Sequence, residues 1–380
     1  MKRKFRRENA IFEGLQLHGY AVRDLVPAFP GSSEDEIRQR LLDNALRYRR
    51  TVERFGYLGT RECESRYFNV SSERYRRSPS APSVDAASDV LTHCYGGSTT
   101  AGHNVGDDET WPHYLEQLLR RDNPAERVLN YGAGNHTSIH SALHLLDHCL
   151  SGRAPSRAIF FNGFNDCFYA TGNPDGALMF LDAALELSQH TPGVEVPIGQ
   201  IADMVPRLGD RRNIGEIALR EDSSGPDQLA IVQSRYRVAA KIHEICEELW
   251  GVRVLRFWEP SPFVFCRPDQ DLVPRLRLGF PTLQQTASLL KQVAAKGARR
   301  AMGVRDVVDL SAIGQEQIPD PLFLDEAHAT PALNRLIAAR IESHCDRTQR
   351  AIRRRVGRRS STGIRNSSRP DPESDLYPMW

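Results

Sequence analysis

The stretch that decides the fold runs from Asp89 to Gly102 and reads D-V-L-T-H-C-Y-G-G-S-T-T-A-G. Its first part, Val90 to Tyr95, is rich in β-branched and aromatic residues, which is typical of a strand. The two glycines that follow permit a sharp turn and a close approach of the backbone. Ser98 therefore lies in the first turn after a predicted strand, where open α/β sheets bind their ligands. A serine in this place is a candidate nucleophile, and the alternative is an ordinary turn residue.

Beyond this stretch, predicted strands alternate with predicted helices along the chain. The alternation predicts an α/β fold with three layers, in which a mostly parallel central sheet is covered by helices on both faces. The strands are expected at 89–95, 127–130, 158–162, 252–258 and 304–310, and the helices from Thr110 onward and at 138–150, 229–250, 282–296 and 330–345.

The residues before Asp89 have a different pattern. Ser33 and Glu36 fit a capping box, and apolar residues follow at helical spacing, which predicts a helix from Ser33 to Phe55. Residues 56–88 are rich in turn-forming residues and include a Ser/Pro cluster, which favours a linker or surface strap.

We therefore expect three segments along the chain. Residues 1–87 form an N-terminal helical and irregular extension, residues 88–346 the α/β domain, and residues 347–380 a basic, disordered tail. Within the α/β domain, residues 171–227 are long for a simple connection and contain Pro- and Gly-rich breaks, so we expect a lid or side wall there.

The composition excludes several classes of protein. The chain has 380 residues, of which 40% are hydrophobic and 26% are charged, as in an ordinary globular protein. Its seven cysteines lack C-x-x-C spacing, which favours reduced thiols over a disulfide framework or a zinc site. No apolar run matches a signal peptide or a membrane span, so we expect a cytoplasmic location.

Polar residues follow three further predicted strands or strand-end turns. These groups are Gly134-Asn135-His136, Gly163-Phe164-Asn165-Asp166 and Asp325-Glu326-Ala327-His328. The carboxyl ends of parallel strands meet at one edge of a sheet, so these groups are expected near Ser98.

Taken together, G-G-S-T-T-A-G, G-F-N-D and D-E-A-H resemble, in this order and at roughly this spacing, the motifs of the SGNH (GDSL-type) hydrolases. The resemblance covers about residues 88–346. It implies a three-layer, flavodoxin-like α/β/α domain, a serine esterase activity that needs no metal or organic cofactor, and a small-molecule acyl ester as substrate.

The resemblance also assigns roles to individual residues. Ser98 corresponds to the nucleophile, His328 to the general base and Asp325 to the carboxylate that orients it. Asn165 corresponds to a side-chain donor of the oxyanion hole. These residue types suit the chemistry because a serine hydroxyl needs an adjacent base, and a carboxylate on the other imidazole nitrogen fixes the tautomer.

Two points depart from the family pattern or stay open. Gly97 precedes the serine, where the best-known form of the family has aspartate. A backbone N–H of the second motif completes the oxyanion hole, but matching the glycine points to Gly134, while matching the residues that follow points to Asn135. We carry both residues as candidates.

Two further features have a functional and an ordinary interpretation. His136, His140, His144 and His148 recur every four residues, and without an H-E-x-x-H glutamate we interpret them as a solvated or partly buried stripe rather than a metal site. The adjacent His93-Cys94 pair is expected in the core. The basic run within residues 347–369 is the only indication of nucleic acid binding, and we expect a solvated tail instead.

The predicted activity is hydrolysis of an O-acyl ester through an acyl-enzyme. One alternative keeps the same site and passes the acyl group to an acceptor other than water, as an O-acyltransferase. A second alternative is a catalytically inactive binding module on the same scaffold. The choice of ester is not encoded in any motif, because it depends on the loops around the site.

Overall fold

The structure, a computed structural model, describes residues 21–48, 50–53, 55, 57–79, 90–172, 228–265, 281–313 and 320–360. The chain divides into two compact units, residues 1–339 and residues 340–380. Apart from residues 171 and 172, the predicted lid lies outside the described residues.

The first unit contains a five-stranded sheet whose strands are all parallel. We label the strands of the chain β1 (Arg50–Val52), β2 (Leu58–Thr60), β3 (Val90–Gly96), β4 (Glu126–Asn130), β5 (Arg157–Asn162), β6 (Arg253–Trp258) and β7 (Val307–Asp309). The sheet has the order β4-β3-β5-β6-β7, while β1 and β2 form a separate antiparallel pair. This is the flavodoxin-like order, whose topological switch point lies between β3 and β5.

Helices connect the strands and cover both faces of the sheet. They are α1 (Glu34–Asn44), α2 (Ser98–Ala101), α3 (Trp111–Asp122), α4 (Ser138–Leu150), α5 (Phe164–Gly172), α6 (Gln228–Trp250), α7 (Pro281–Lys296), α8 (Ala298–Met302) and α9 (Pro331–Ser360). Short 3₁₀ turns lie at Val22–Ala28, Ala45–Tyr48 and Asp107–Glu109. The predicted α/β architecture is confirmed.

The central strands are buried along almost their whole length because both faces of the sheet are covered. Every residue of β4 and of β5 is buried. One core cluster joins Tyr95, Leu145 and Phe160, and a second lies around Trp258 and Leu290. Burial on both faces is why these strands lack the alternating pattern of a half-exposed sheet.

The ends of two predicted helices were wrong. The first helix does begin with the Ser33–Glu36 capping box, but α1 ends at Asn44 and a 3₁₀ turn and β1 follow, where a helix to Phe55 was predicted. The closing helix was expected to end at Cys345 and instead continues to Ser360. The added residues include many arginines, which are good helix formers, so the apolar pattern can stop while the helix continues.

Residues 57–79 pack closely against the end of the sheet that carries Ser98. The backbone of Arg76 pairs with Asn130 at the end of β4, and its N–H donates to the Asn130 carbonyl at 2.8 Å. The Arg76 guanidinium is buried against Asp107 at 2.7 Å and donates to the carbonyls of Ala101 and Gly102 at the end of α2. This arginine uses the fork of donors that only a guanidinium offers.

His136, which precedes α4, and the histidines of α4 were expected to form a solvated or partly buried stripe, and all but His140 are instead buried in the core. His136, His144 and His148 are at most 6% exposed, and His140 is less deeply covered. The hydroxyl of Tyr95 joins Nδ1 of His148 at 2.7 Å and Nδ1 of His93 at 2.9 Å. The expected burial of His93 and Cys94 is confirmed.

The described cysteines are all buried and form no disulfide with one another: Cys63, Cys94, Cys149, Cys167, Cys246 and Cys345. In the part of the chain that the structure describes, no helix is both long and apolar enough to cross a membrane.

Candidate active site

Ser98 is the first residue of α2, directly beyond the carboxyl end of β3. Gly97 is the N-cap of this short helix, and Gly102 closes it in the left-handed conformation at φ 71°. The N–H of a residue at the start of a helix has no intrahelical acceptor, so it remains available to a ligand. Ser98 is partly accessible, whereas Gly96, Gly97 and Thr100 around it are buried.

The glycines at this turn are required by close approach of three backbone segments. A Cβ on Gly96 would lie 2.3 Å from the Phe161 carbonyl oxygen, and one on Gly132 would lie 2.2 Å from the Ala101 nitrogen. Both contacts are far shorter than any real Cβ contact. The segments that follow β3, β4 and β5 thus meet with no space for side chains between them.

Asn165, near the start of α5, lies against this turn. Its Nδ2 donates to the carbonyl of His136 at 2.9 Å, which fixes the orientation of the amide. A Cβ built on Gly97 would lie 2.4 Å from the same Nδ2. The amide nitrogen therefore lies beside the residue that precedes Ser98, and its second N–H is not used by the bond to His136.

This contact makes a prediction about Gly97. Replacing it with alanine places a methyl group where the Asn165 amide lies, so the amide must rotate away from the carbonyl of His136. We expect Gly97→Ala to lower kcat for an activated ester by about tenfold or more. The same change in an Asn165→Ala background should have little further effect, because coupled neighbours are not additive. Equal effects in both backgrounds would contradict the contact.

His328 and Asp325 form a pair in the loop before α9. Nδ1 of His328 lies 2.6 Å from Oδ2 of Asp325, while Oδ1 of Asp325 accepts the N–H groups of Ala327 and His328 at 2.9 and 2.7 Å. Nε2 of His328 has no hydrogen-bond partner among the described residues. The N-cap of α9 is Thr330, whose hydroxyl accepts from Leu333 at 3.3 Å, so Asp325 is not needed as a helix cap.

The electrostatics of the pair favour a charged histidine. Burial disfavours the imidazolium, but the carboxylate of Asp325 outweighs it, so the pKa of His328 is raised above its usual value. Burial likewise opposes ionisation of Asp325, but His328 and the two backbone donors overcome it and the pKa of Asp325 is lowered. The side chains of His328 and Asp325 remain 17% and 22% exposed, whereas the Nε2 atom of His328 is itself buried.

The second motif lies in the turn between β4 and α4. Gly134 is buried, whereas Asn135 is exposed and has the left-handed φ of 70°. The N–H of His136 donates back to Ala133 at 3.2 Å and closes the turn. The carbonyl of His136 accepts from Asn165, so this turn and α5 are held together next to Ser98.

Asp166 has a structural role at this site. It is fully buried and accepts from both the N–H and the hydroxyl of Ser138, at 3.1 and 2.7 Å. This ties α5 to the first turn of α4. Burial raises the pKa of Asp166 to about 6, and the bonds from Ser138 limit the rise.

Glu259 is a residue at this site that the sequence reasoning missed. It directly follows β6, and its Oε2 accepts from the Thr99 hydroxyl at 2.6 Å while Oε1 accepts from the N–H of Phe164. It therefore joins the turn that carries Ser98 to the helix that carries Asn165. Burial raises the pKa of Glu259 to about 7. Its place at the carboxyl end of a parallel strand was the available signal.

The predicted residues are thus brought together in two groups. Ser98, Asn165 and the Gly134–Asn135 turn meet beyond the ends of β3, β4 and β5. The pair of Asp325 and His328 meets the loop that follows α2, where the ring centroids of His103 and His328 are 5.4 Å apart. Among the described residues, no group of three or more His, Cys, Asp or Glu side chains is arranged to hold a metal ion.

Comparisons with known proteins identify a family for the chain. The model of the GDSL-like Lipase/Acylhydrolase family matches residues 94–336 of the chain. No curated protein matches it in sequence.

Solved structures with a similar fold include several esterases. They include the acetyl xylan esterase AlAXEase (13% identity, TM-score 0.34, covering 67% of this chain and 99% of that one). Axe2, an acetylxylan esterase from Geobacillus stearothermophilus, is 14% identical (TM-score 0.33, 66% and 90%). The psychrotrophic esterase EstA from Pseudoalteromonas sp. is 11% identical (TM-score 0.33, 69% and 100%).

The family match spans well over half of the chain, and the parallel sheet with helices on both faces is the fold expected of that family. The chain therefore belongs to the GDSL-like lipase/acylhydrolase family and is a serine hydrolase that acts on ester bonds.

Proposed function

We propose that the protein hydrolyses an O-acyl ester through an acyl-enzyme on Ser98, with His328 as general base and Asp325 as its orienting carboxylate. The observation that carries the proposal is the state of His328. Asp325 holds Nδ1 at 2.6 Å, while Nε2 has no hydrogen-bond partner in the described part of the chain. A histidine held in this tautomer has one basic nitrogen left to accept a proton from a serine hydroxyl.

In the first half of the reaction, Oγ of Ser98 attacks the acyl carbonyl while Nε2 of His328 takes the hydroxyl proton. The tetrahedral intermediate collapses, the acyl–oxygen bond breaks, and His328 gives its proton to the departing alcohol. Water then repeats the attack on the acyl-enzyme with His328 again as base, and the acid product leaves. Asp325 stabilises the imidazolium in both halves, which accords with the raised pKa of His328.

The oxyanion is stabilised by three donors in this proposal. They are the N–H of Ser98 at the start of α2, the second Nδ2–H of Asn165, and the N–H of Gly134 or Asn135. Backbone and side-chain amide donors suit this task because they donate a hydrogen bond without giving up a proton, and because they are held rigidly where negative charge develops. The bond from Asn165 to the carbonyl of His136 supplies that rigidity.

Removing the amide tests the oxyanion assignment. We expect Asn165→Ala to lower kcat by about 10² to 10³, which is the usual cost of one lost oxyanion donor, with a much smaller change in KM. The measurement is steady-state kinetics on p-nitrophenyl acetate, with circular dichroism to show that the variant is folded. An equal rise in KM with an unchanged kcat would mean that Asn165 binds the substrate and the transition state equally, which would contradict a role as oxyanion donor.

The proposed activity is tested by a burst assay with p-nitrophenyl acetate and butyrate. A hydrolase releases nitrophenol continuously after the first turnover. If the wild-type protein releases one equivalent and stalls, and added alcohols restart it, the acceptor is not water and acyl transfer replaces hydrolysis. If neither ester acylates the protein, the proposal of an acyl-enzyme fails.

A further inference from the structure

The N-terminal part of the chain is connected to the carboxylate of the His328–Asp325 pair. Asn104, in the loop after α2, donates from Nδ2 to Oδ2 of Asp325 at 3.3 Å. This is the same oxygen that lies 2.6 Å from Nδ1 of His328. The amide oxygen of Asn104 in turn accepts from Nη1 of Arg47 at 3.3 Å. Arg47 is therefore connected to Asp325 by two hydrogen bonds through the side-chain amide of Asn104.

Asn104 is held in place by the last turn of α1. Its φ is 70°, a conformation that asparagine tolerates better than most residues. Its N–H donates to Oδ1 of Asn44 at 3.0 Å, and Nδ2 of Asn44 donates to the carbonyl of Val105 at 3.1 Å. Asn44 has no exposed surface, and its own carbonyl accepts from Arg47 at 3.1 Å. The loop is thus fixed on both sides of Asn104.

Charge adds to this geometry. Burial lowers the pKa of His328. The charges of Asp325 and Glu326 raise that pKa, and the positive charge of Arg47 lowers it. The groups that face or influence His328 are Asp325, Glu326, Arg47, the ring of His103 and, through its charge, Glu259. Of the charged groups in this set, Arg47 alone is a permanent cation.

We propose that Asn104 and Arg47 are positioning residues of the esterase site, and that the N-terminal segment completes this site by orienting Asp325. The inference rests on the proposed function of the His328–Asp325 pair. Arg47 and Asn44 lie before residue 94, where the match to the family model begins. Asn104 lies inside the matched region, so the residues that hold it, Arg47 and Asn44, are the part supplied from outside that region.

The first test removes the amide without straining the backbone. Glycine accepts a positive φ, so Asn104→Gly deletes both side-chain hydrogen bonds and leaves the loop conformation accessible. We expect kcat to fall by about tenfold with KM within about twofold, because a hydrogen bond to a charged group is lost. A kcat within twofold of wild type would overturn the role of Asn104, provided that the unfolding midpoint is unchanged.

The second test separates charge from packing at Arg47. We expect Arg47→Met to move the acid limb of the kcat/KM profile to higher pH, because the cation that opposes protonation of His328 is gone. Arg47→Lys keeps the charge and should restore the limb. Arg66→Met is the matched control, since Arg66 belongs to the same segment but pairs with Glu36 at an exposed position, 3.2 Å away. Superimposable profiles for all four proteins would overturn the inference.

A measurement without turnover keeps this inference distinct from the proposed function. The imidazole signals of His328 can be titrated by NMR in wild type and in Arg47→Met. A higher apparent pKa in the variant supports the inference even if no ester is cleaved, in which case the proposed function alone fails. Normal activity together with identical titrations overturns the inference and leaves the proposed function standing.

Discussion

Ser98→Ala should lower kcat by a factor of roughly 10⁵ or more on p-nitrophenyl acetate, the largest effect expected of any single change in this protein. The alanine keeps the N–H of residue 98 and the fold of the turn, but it removes the atom that forms the acyl-enzyme. The loss should appear in kcat with little change in KM, because substrate binding does not need the hydroxyl. Any remaining rate reflects the oxyanion donors alone.

A covalent probe checks the same point without kinetics. An organophosphonate ester should attach one phosphonyl group to the wild-type protein, on the peptide that contains Ser98, and none to Ser98→Ala. Mass spectrometry measures this adduct. Ser151→Ala is the control, since Ser151 is exposed at the end of α4. It should react and turn over like wild type. Labelling of another serine with full activity in Ser98→Ala would refute the assignment.

The second large effect concerns stability in acid. Five histidines have a pKa that burial lowers well below its usual value in the folded protein: His93, His140, His144, His148 and His243. Burial also lowers the pKa of His113. In the unfolded chain each takes up a proton as the pH falls below about 6.5. Protonation therefore favours the unfolded state, and each histidine lowers the free energy of unfolding by about 1.4 kcal/mol per pH unit below that value. Above it, this stability is fully present.

Buried carboxyls act in the opposite direction and offset part of this loss. The pKa of Asp166 is raised to about 6 and that of Glu259 to about 7, so they take up protons in the folded state first and add stability as the pH falls. Burial also raises the pKa of three glutamates, by less than it raises those of Asp166 and Glu259: Glu53, Glu109 and Glu126. Five histidines outweigh two strongly shifted carboxyls, so the net effect between pH 6.5 and 5.5 is destabilisation.

Urea unfolding at pH 7.5 and pH 5.5 measures this effect. The test variant is His148→Gln, which cannot titrate but can keep a hydrogen bond to the Tyr95 hydroxyl. Between pH 7.5 and pH 5.5 its free energy of unfolding should fall by about 1.4 kcal/mol less than that of wild type. Both proteins should be insensitive to pH between 7.5 and 8.5. Equal slopes in acid would show that His148 is already protonated in the folded protein.

The sheet and its helices could be predicted from the sequence because apolar runs and turn residues are local signals. The helix Ser138–Leu150 was placed correctly at both ends. The first helix was not, because the apolar residues that continue its spacing beyond Asn44 belong to a 3₁₀ turn and to β1, where tertiary packing decides. Local spacing cannot distinguish these cases.

Some residues of the candidate site could likewise be predicted from the sequence, and others could not. Ser98, Asn165, Asp325 and His328 follow predicted strand ends or precede a predicted helix, so order and spacing pointed to them. Asn104 and Arg47 could not be predicted. The hydrogen bond that links them to Asp325 forms only when two loops more than 200 residues apart in sequence come together in the fold. The same holds for the histidines of α4, whose spacing indicates one helix face but not which neighbour covers it.

Arg76 also has a consequence for how the protein opens. Its guanidinium is buried and donates to Tyr67, Val105 and the last carbonyls of α2. Separating these groups would leave a desolvated charge without partners, so the strap of residues 57–79 and the turn that carries Ser98 cannot loosen independently. They should exchange their protected amide hydrogens as one cooperative unit. Whenever the strap detaches, the turn that carries Ser98 should lose the contacts that hold it in place.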